Sequence, residues 1–176
     1  MRSRSVATAG ALALSALALA ACGSSGSGNI QLAPSGGATQ EPTATTPKPP
    51  PALRHKPVVS VSPSECSTKQ LVKKDLITGS GQAAQAGQTV VVNYVGVLCS
   101  TGKEFDSSWK TGQPFTTALT PGTVIPGWVE GVPGMRVGGR RELVIPPNLA
   151  YGTTGRPPTI PPNSTLAFVV DLLSVS

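Results

Sequence analysis

The whole chain holds a single histidine, His55, set in a proline-rich stretch away from any apolar pattern. Nucleophiles activated by imidazole and the common zinc sites both need histidine close to cysteine, serine or carboxylate, so that scarcity speaks against them. Acidic residues are also few, 8 Asp and Glu against 14 Lys and Arg. Paired carboxylates and metal-ligand cysteine spacings are missing from the apolar C-terminal part, so hydrolase and metal-enzyme readings find no support and no cofactor is expected. The net charge of +6 is modest. It comes with no basic stripe or aromatic platform, which leaves nucleic-acid binding unsupported. Internal repeats are absent.

What is present begins with a leader pattern. Arg2 and Arg4 precede an uncharged run of Ala, Leu and Val over residues 6–21, the form of a secretory signal peptide over residues 1–21. A membrane-spanning helix needs about 20 strongly apolar residues, and this run is too short and too alanine-rich to supply them. Leu19-Ala20-Ala21-Cys22-Gly23 resembles a bacterial lipobox, with Cys22 as the lipidated first residue of the mature chain. The alternative is an ordinary signal-peptidase site with a cysteine nearby. The lipobox reading places the protein outside the cytoplasm, anchored to the membrane of a bacterial envelope through lipid alone.

Residues 22–65 are mostly Gly, Ser, Thr, Pro, Ala and Gln with few large apolar side chains, and include Pro47-Lys48-Pro49-Pro50-Pro51. Such a segment buries too little surface to offset its ordering entropy, so a disordered spacer is expected. Arg54, His55 and Lys56 form a small basic cluster that reads as a solvated face. With Cys22 set aside, Cys66 and Cys99 remain. In an oxidising compartment they form either a bridge or two separate thiols.

From residue 66 to 176 apolar density rises and alternating patterns begin, marking the folded domain. Strands are expected over 69–77, 89–98, 103–108, 115–119, 141–145 and 165–175. One amphipathic helix is expected over 125–132, where Ile125, Trp128, Val129 and Val132 share a face and Pro126 stands in the first turn. Many strands with one short helix give an α+β class, an antiparallel sheet wrapping the helix as a half-barrel.

Several segments together resemble the FKBP-type peptidyl-prolyl isomerases. They are Val91-Val92-Asn93-Tyr94-Val95-Gly96, Gly102-Lys103-Glu104-Phe105-Asp106-Ser107-Ser108, Val124-Ile125-Pro126-Gly127-Trp128, Gly131-Val132-Pro133-Gly134-Met135-Arg136-Val137-Gly138, Ile145-Pro146-Pro147, Tyr151-Gly152 and Ile160-Pro161-Pro162-Asn163-Ser164-Thr165-Leu166. The resemblance implies a twisted sheet around a short helix, with an apolar pocket between them. It assigns Tyr94, Asp106 and Tyr151 as catalytic residues and Phe105, Phe115, Val124, Ile125, Trp128, Ile160 and Phe168 as the substrate-binding walls, with Trp128 as floor. Without the family, Trp128, Phe105 and Phe168 read as core, and Tyr151 and Asp106 as turn or cap residues.

The implied activity is rotation of X-Pro bonds in folding proteins, with macrolide inhibitors as further ligands and a monomer as the expected state. The alternative is a prolyl-peptide binding or chaperone module that does not turn over. Departures from the family pattern fall at the rim. Trp109-Lys110-Thr111-Gly112 stands where many members carry an arginine near the pocket aspartate, leaving Lys110 as its expected replacement. Arg156 and Thr159 make the loop after Tyr151 more polar and more cationic.

Overall fold

Residues 50–176 are described in a computed structural model. The expected signal peptide, Cys22 and the linker up to residue 49 lie outside the described residues. Six strands, β1 (Val72–Ile77), β2 (Thr89–Leu98), β3 (Glu104–Ser107), β4 (Phe115–Ala118), β5 (Arg140–Ile145) and β6 (Leu166–Val175), form one sheet. Their order is β1-β5-β6-β2-β3, and β4 pairs with the first half of β2 while β3 pairs with its second half. Every pairing is antiparallel. Two short helices accompany the sheet, α1 (Pro63–Cys66) and α2 (Pro126–Gly131).

The long central strands follow from their alternation, since neighbouring side chains leave a strand on opposite faces. Val90, Val92 and Leu98 of β2, Leu143 and Ile145 of β5, and Leu166, Phe168, Val170 and Leu172 of β6 turn to one face. There they join Trp128, Val132 and Ile160 in the main core. Val95, Val97, Val144 and Ala167 turn to the other face and form a second apolar cluster. Both faces are therefore covered, which is why β6 reads as a nearly continuous apolar run.

Pro126 and Gly127 open α2, and Arg141 closes it. The Arg141 guanidinium donates to the carbonyls of Gly131 (2.8 Å) and Pro133 (3.2 Å), meeting acceptors that the last turn of a helix leaves free. Its other edge forms a two-pronged pair with Asp75 of β1, at 2.6 and 3.0 Å. Close seating of the helix needs small residues. A Cβ at Gly127 would lie 2.8 Å from Ile145 Cδ1, and one at Gly131 would lie 2.8 Å from Leu143 Cδ2, so glycine at both positions lets α2 lie directly on β5.

The expectation of a disordered spacer through residue 65 fails for residues 50–65. Pro51–Arg54 forms a 3-10 turn whose Leu53 is 1% exposed. Lys56 pairs with Glu104 at 2.7 Å, and the His55 carbonyl accepts from Arg140 at 3.1 Å, so part of the expected solvated basic face is engaged with the domain. Val59, Val61 and Cys66 pack on the second cluster. Ser62 and Glu65 cap α1 reciprocally. The few apolar residues of this arm suffice because a ready-made apolar sheet face receives them.

Cys66 and Cys99 are joined in a disulfide, with Cα atoms 5.5 Å apart, which ties the arm to the end of β2. The bridge spans a sequence separation of 33 residues. A loop of that size constrains the unfolded chain by about 3–4 kcal/mol in the chain-entropy model. Reduction, or the Cys66→Ser/Cys99→Ser pair, is expected to lower unfolding free energy by that amount in denaturant titrations.

A second prediction concerns acid. The hydrogen bond from Arg141 holds the Asp75 carboxyl below its ordinary value, with burial acting against it and the Arg141 charge adding to the fall. The ionised form is thus favoured in the folded state. The pair's contribution is complete above the unfolded carboxyl value of about 3.9 and is lost as pH falls through the lower folded value. In acid titrations below about pH 4, Asp75→Asn is expected to flatten the fall in stability. The effect is modest because the Asp75 side chain is 46% exposed.

Candidate functional site

Between α2 and the sheet lies a cavity of about 370 Å³. The chain has 2 Trp, 2 Tyr and 3 Phe, and every one except Trp109 lines this space. Trp128 forms a shared center, with ring centroids 5.4 Å from Tyr94, 5.6 Å from Phe168 and 6.4 Å from Phe115, all edge to face. Phe105 meets Phe168 edge-on at 5.5 Å. These geometries set ring edges against ring faces, the favoured electrostatic arrangement of aromatic pairs. Gly96 makes room for two of the rings, because a Cβ there would come within 2.7 Å of Phe168 and 2.8 Å of Phe105.

Each ring is placed by its own element. Tyr94 comes from β2 and Phe105 from β3, Phe115 starts β4, Trp128 comes from α2, Phe168 from β6, and Tyr151 from the loop after the 3-10 turn Pro147–Leu149. Trp128 is 4% exposed, and its indole N–H has no acceptor among the described residues. Phe115 is 40% exposed and stands at the rim. Val124 and Ile125 also line the cavity. The Ile125 carbonyl accepts from the N–H groups of Trp128 (2.9 Å) and Val129 (3.3 Å), and its own N–H has no backbone acceptor among the described residues.

One polar contact crosses this apolar lining. The Tyr94 hydroxyl donates to Asp106 Oδ2 at 2.7 Å, and the Ser107 N–H donates to Asp106 Oδ1 at 2.9 Å. Burial pushes the Tyr94 phenol far above its ordinary value, and the Asp106 carboxylate adds to the rise. Tyr94 therefore keeps its proton beyond the pH at which a tyrosine ordinarily loses it. Below it, Ser108 accepts from the Tyr94 N–H at 3.0 Å and donates to Asn93 Oδ1 at 3.2 Å, locking β2 to the turn after β3.

Nine of the ten expected site residues meet at this cavity, and Ile160 does not. Ile160 is 2% exposed and sits in the core, its backbone bonded to Arg156 through both N–H and carbonyl; it supports the loop from beneath. Lys110 also departs from expectation. It pairs with Glu104 at 3.6 Å and donates to the Phe105 carbonyl at 3.4 Å, leaving Asp106 without a cationic partner among the described residues. Gly122 and Thr123 join the lining unforeseen. Their sequence signal is the Pro121-Gly122 turn, which the hydroxyl contact of Thr120 with Thr123 closes at 2.9 Å.

The site is thus an antiparallel sheet with a short helix lying on it, enclosing a ring-lined slot with one tyrosine–carboxylate contact. A family model described as FKBP-type peptidyl-prolyl cis-trans isomerase matches residues 80–173, more than half of the chain. An FK506-binding protein of Streptomyces anulatus is 57% identical over 106 residues, covering 60% of this chain and 86% of that protein. A probable FK506-binding protein of Corynebacterium glutamicum is 49% identical over 106 residues, 60% of this chain and 87% of that one. Among solved structures, FkpA from Escherichia coli has a TM-score of 0.55 at 50% identity, covering 60% of this chain and 48% of that one. AtFKBP13 has a TM-score of 0.57 at 40% identity, covering 66% and 98%. The chain belongs to the FKBP-type peptidyl-prolyl cis-trans isomerase family. Its role is that of a peptidyl-prolyl isomerase.

Removing the Tyr94 hydroxyl takes away a charge-assisted hydrogen bond of about 1.5–3 kcal/mol. Tyr94→Phe is expected to lower kcat/KM for a prolyl peptide about ten-fold, equivalent to about 1.4 kcal/mol. With Tyr94 intact, the pH profile is expected to show no fall from loss of its proton near the ordinary tyrosine value of about 10.

Proposed function

We propose that the cavity accelerates rotation about X-Pro bonds by holding the proline ring on Trp128 and favouring the twisted amide over either planar isomer. Amide resonance sets the unaided barrier at about 18–20 kcal/mol and makes the reaction take tens to hundreds of seconds. A twisted amide loses that resonance and is less polar, so a water-poor aromatic slot binds it preferentially. Nothing in this route requires a nucleophile. The observation that carries the reading is the convergence of Tyr94, Phe105, Phe115, Trp128, Tyr151 and Phe168 on one cavity.

Within that slot, the Tyr151 hydroxyl is assigned to the carbonyl that precedes the proline, and the free Ile125 N–H to a second substrate carbonyl. Asp106, oriented by Tyr94, acts electrostatically on the carbonyl that swings during rotation, with no proton transfer. Val124, Phe105, Phe115 and Phe168 complete the walls. The names of the Streptomyces and Corynebacterium relatives carry FK506 binding, and a macrolide of that kind is proposed to occupy the same slot.

The substrates are secreted or envelope proteins that fold beside the membrane, with the isomerase held there as a monomer by lipid on Cys22 after removal of residues 1–21. The leader pattern supports this placement, as does the disulfide between Cys66 and Cys99, a bond that persists outside the cytoplasm. A second reading, prolyl-peptide binding without turnover, draws support from Asp106, whose expected partner Lys110 is engaged by Glu104 instead.

The cis-to-trans rate of a short X-Pro peptide, followed with and without the protein, separates the two. Expected is a large acceleration that a macrolide blocks and that Tyr151→Phe and Asp106→Ala each reduce several-fold. Peptide binding without acceleration by the folded protein would replace the enzyme reading with the binding-module reading.

A further inference from the structure

Arg156 is the one cation among the residues that line the cavity, which it shares with Asp106, Tyr94 and Tyr151. The ion pairs among the described residues join Lys56 and Lys110 to Glu104, Arg140 to Asp171 and Arg141 to Asp75. Arg156 takes part in none of them. The side-chain hydrogen bonds of arginines in this region are made by Arg136, Arg140 and Arg141. The Arg156 guanidinium, with five donors, therefore has no acceptor among the described residues.

Their origin is nonetheless fixed. The Arg156 N–H donates to the Ile160 carbonyl at 2.8 Å, and the Ile160 N–H returns to the Arg156 carbonyl at 2.9 Å, with Ile160 anchored in the core. One residue earlier, the Gly155 N–H donates to the Tyr151 carbonyl at 3.0 Å. The backbone at Arg156 is thus held at a set place beside Tyr151 while the side chain stays exposed.

Asp106 is the opposite charge in the same cavity, and it is differently situated. Both of its oxygens already accept hydrogen bonds, from Tyr94 and from Ser107. Arg156, by contrast, has none of its guanidinium donors engaged among the described residues, and a planar guanidinium matches a carboxylate in two-pronged geometry. Its field reaches the Tyr94 hydroxyl, where it works against the rise produced by burial.

We propose that Arg156 is a specificity-determining residue that favours substrates with aspartate or glutamate beside the prolyl bond. This rests on the isomerase reading above and adds the chemical class of substrate. A pair at an exposed cleft mouth is weak, so the selection is a preference by a small factor and not a requirement.

The test uses two peptide series, one varying the residue just before the proline and one the residue just after it, each with Glu, Gln or Lys. In one or both series kcat/KM for the Glu peptide is expected to exceed that for Gln about three-fold at low salt, and the ratio to approach one at about 0.5 M NaCl, where charges are screened. Arg156→Gln is expected to remove the preference, Arg156→Lys to keep its sign, and Arg156→Glu to reverse it in favour of Lys. Melting curves of each variant establish that the ratios come from folded protein.

A Glu-to-Gln ratio of one in the parent protein, or an unchanged ratio in Arg156→Gln, would overturn the proposal. Turnover of the Gln peptides with no charge preference would sink the Arg156 assignment and leave the isomerase intact. Absence of turnover for every peptide would sink the isomerase. In that case binding of the same peptides, read by tryptophan fluorescence, decides the charge preference separately, with the same ratios overturning or supporting it.

Discussion

The contact on which the cavity depends is the seating of α2 on β5. Gly127 and Gly131 place the helix backbone against Ile145 and Leu143 with no room for a methyl group on either glycine. A helix of six residues is far too short to be stable alone, so packing on the sheet must hold it. Trp128 rises from the same helix, which makes the height of the cavity floor a direct consequence of that packing. Arg141 secures the far end by bonding the carbonyls of Gly131 and Pro133 while it pairs with Asp75. Strand β5 thus supplies the surface the helix lies on, and through Arg141 the cap that closes it.

With the floor set, the walls follow from a sheet whose core-facing positions alternate through the middle of β2 and β6, up to the register shift at Val91/Val92. Tyr94 and Phe168 occupy those positions on neighbouring strands, two pairings apart in the register that joins Tyr94 to Val170 and Gly96 to Phe168. Glycine at 96 then leaves the space that the rings of Phe105 and Phe168 fill. The Tyr94–Asp106 contact sits at the open side of this lining, where Asp106 is exposed, and the Ser107 N–H holds the carboxylate in place from the other oxygen. The same surroundings keep the phenol protonated. What this slot offers is therefore shape and fixed dipoles, the means that the proposed route requires.

How far this was legible in the sequence depended on whether a residue's partner was near or far. Alternation in β2 and β6 made both strands visible, and the glycine and proline around α2 marked its ends. The site aromatics were ambiguous by composition, since Trp128 at 4% exposure satisfies a core reading and a pocket-floor reading at once. It was the joint spacing of many segments that resolved them. An isoleucine before two prolines looks the same as wall or as support; the structure buries Ile160 in the main core beside the cavity, and that packing leaves no compositional trace. The engagement of Lys110 by Glu104 instead of Asp106 likewise depends on side-chain reach across β3.

The arm at residues 50–65 escaped notice for a different physical reason. Disorder is inferred from a segment's own capacity to bury surface, and Leu53, Val59 and Val61 scattered among prolines and serines have little. The inference omits what the rest of the chain offers. Here the sheet face opposite α2 carries Val95, Val97, Val144 and Ala167, a surface that would be costly to leave in water. A sparse segment covers it because the disulfide to Cys99 and the Lys56–Glu104 pair hold the arm in place. Trp109, the aromatic residue outside the cavity, packs on this same cluster, and its backbone N–H donates to Ser107 Oγ at 3.2 Å, next to Asp106. The short turn from Asp106 to Trp109 therefore spans the sheet's two faces, with the carboxylate at the cavity and the indole under the arm. Covering the second face and positioning the one carboxylate of the site are two effects of a single piece of packing.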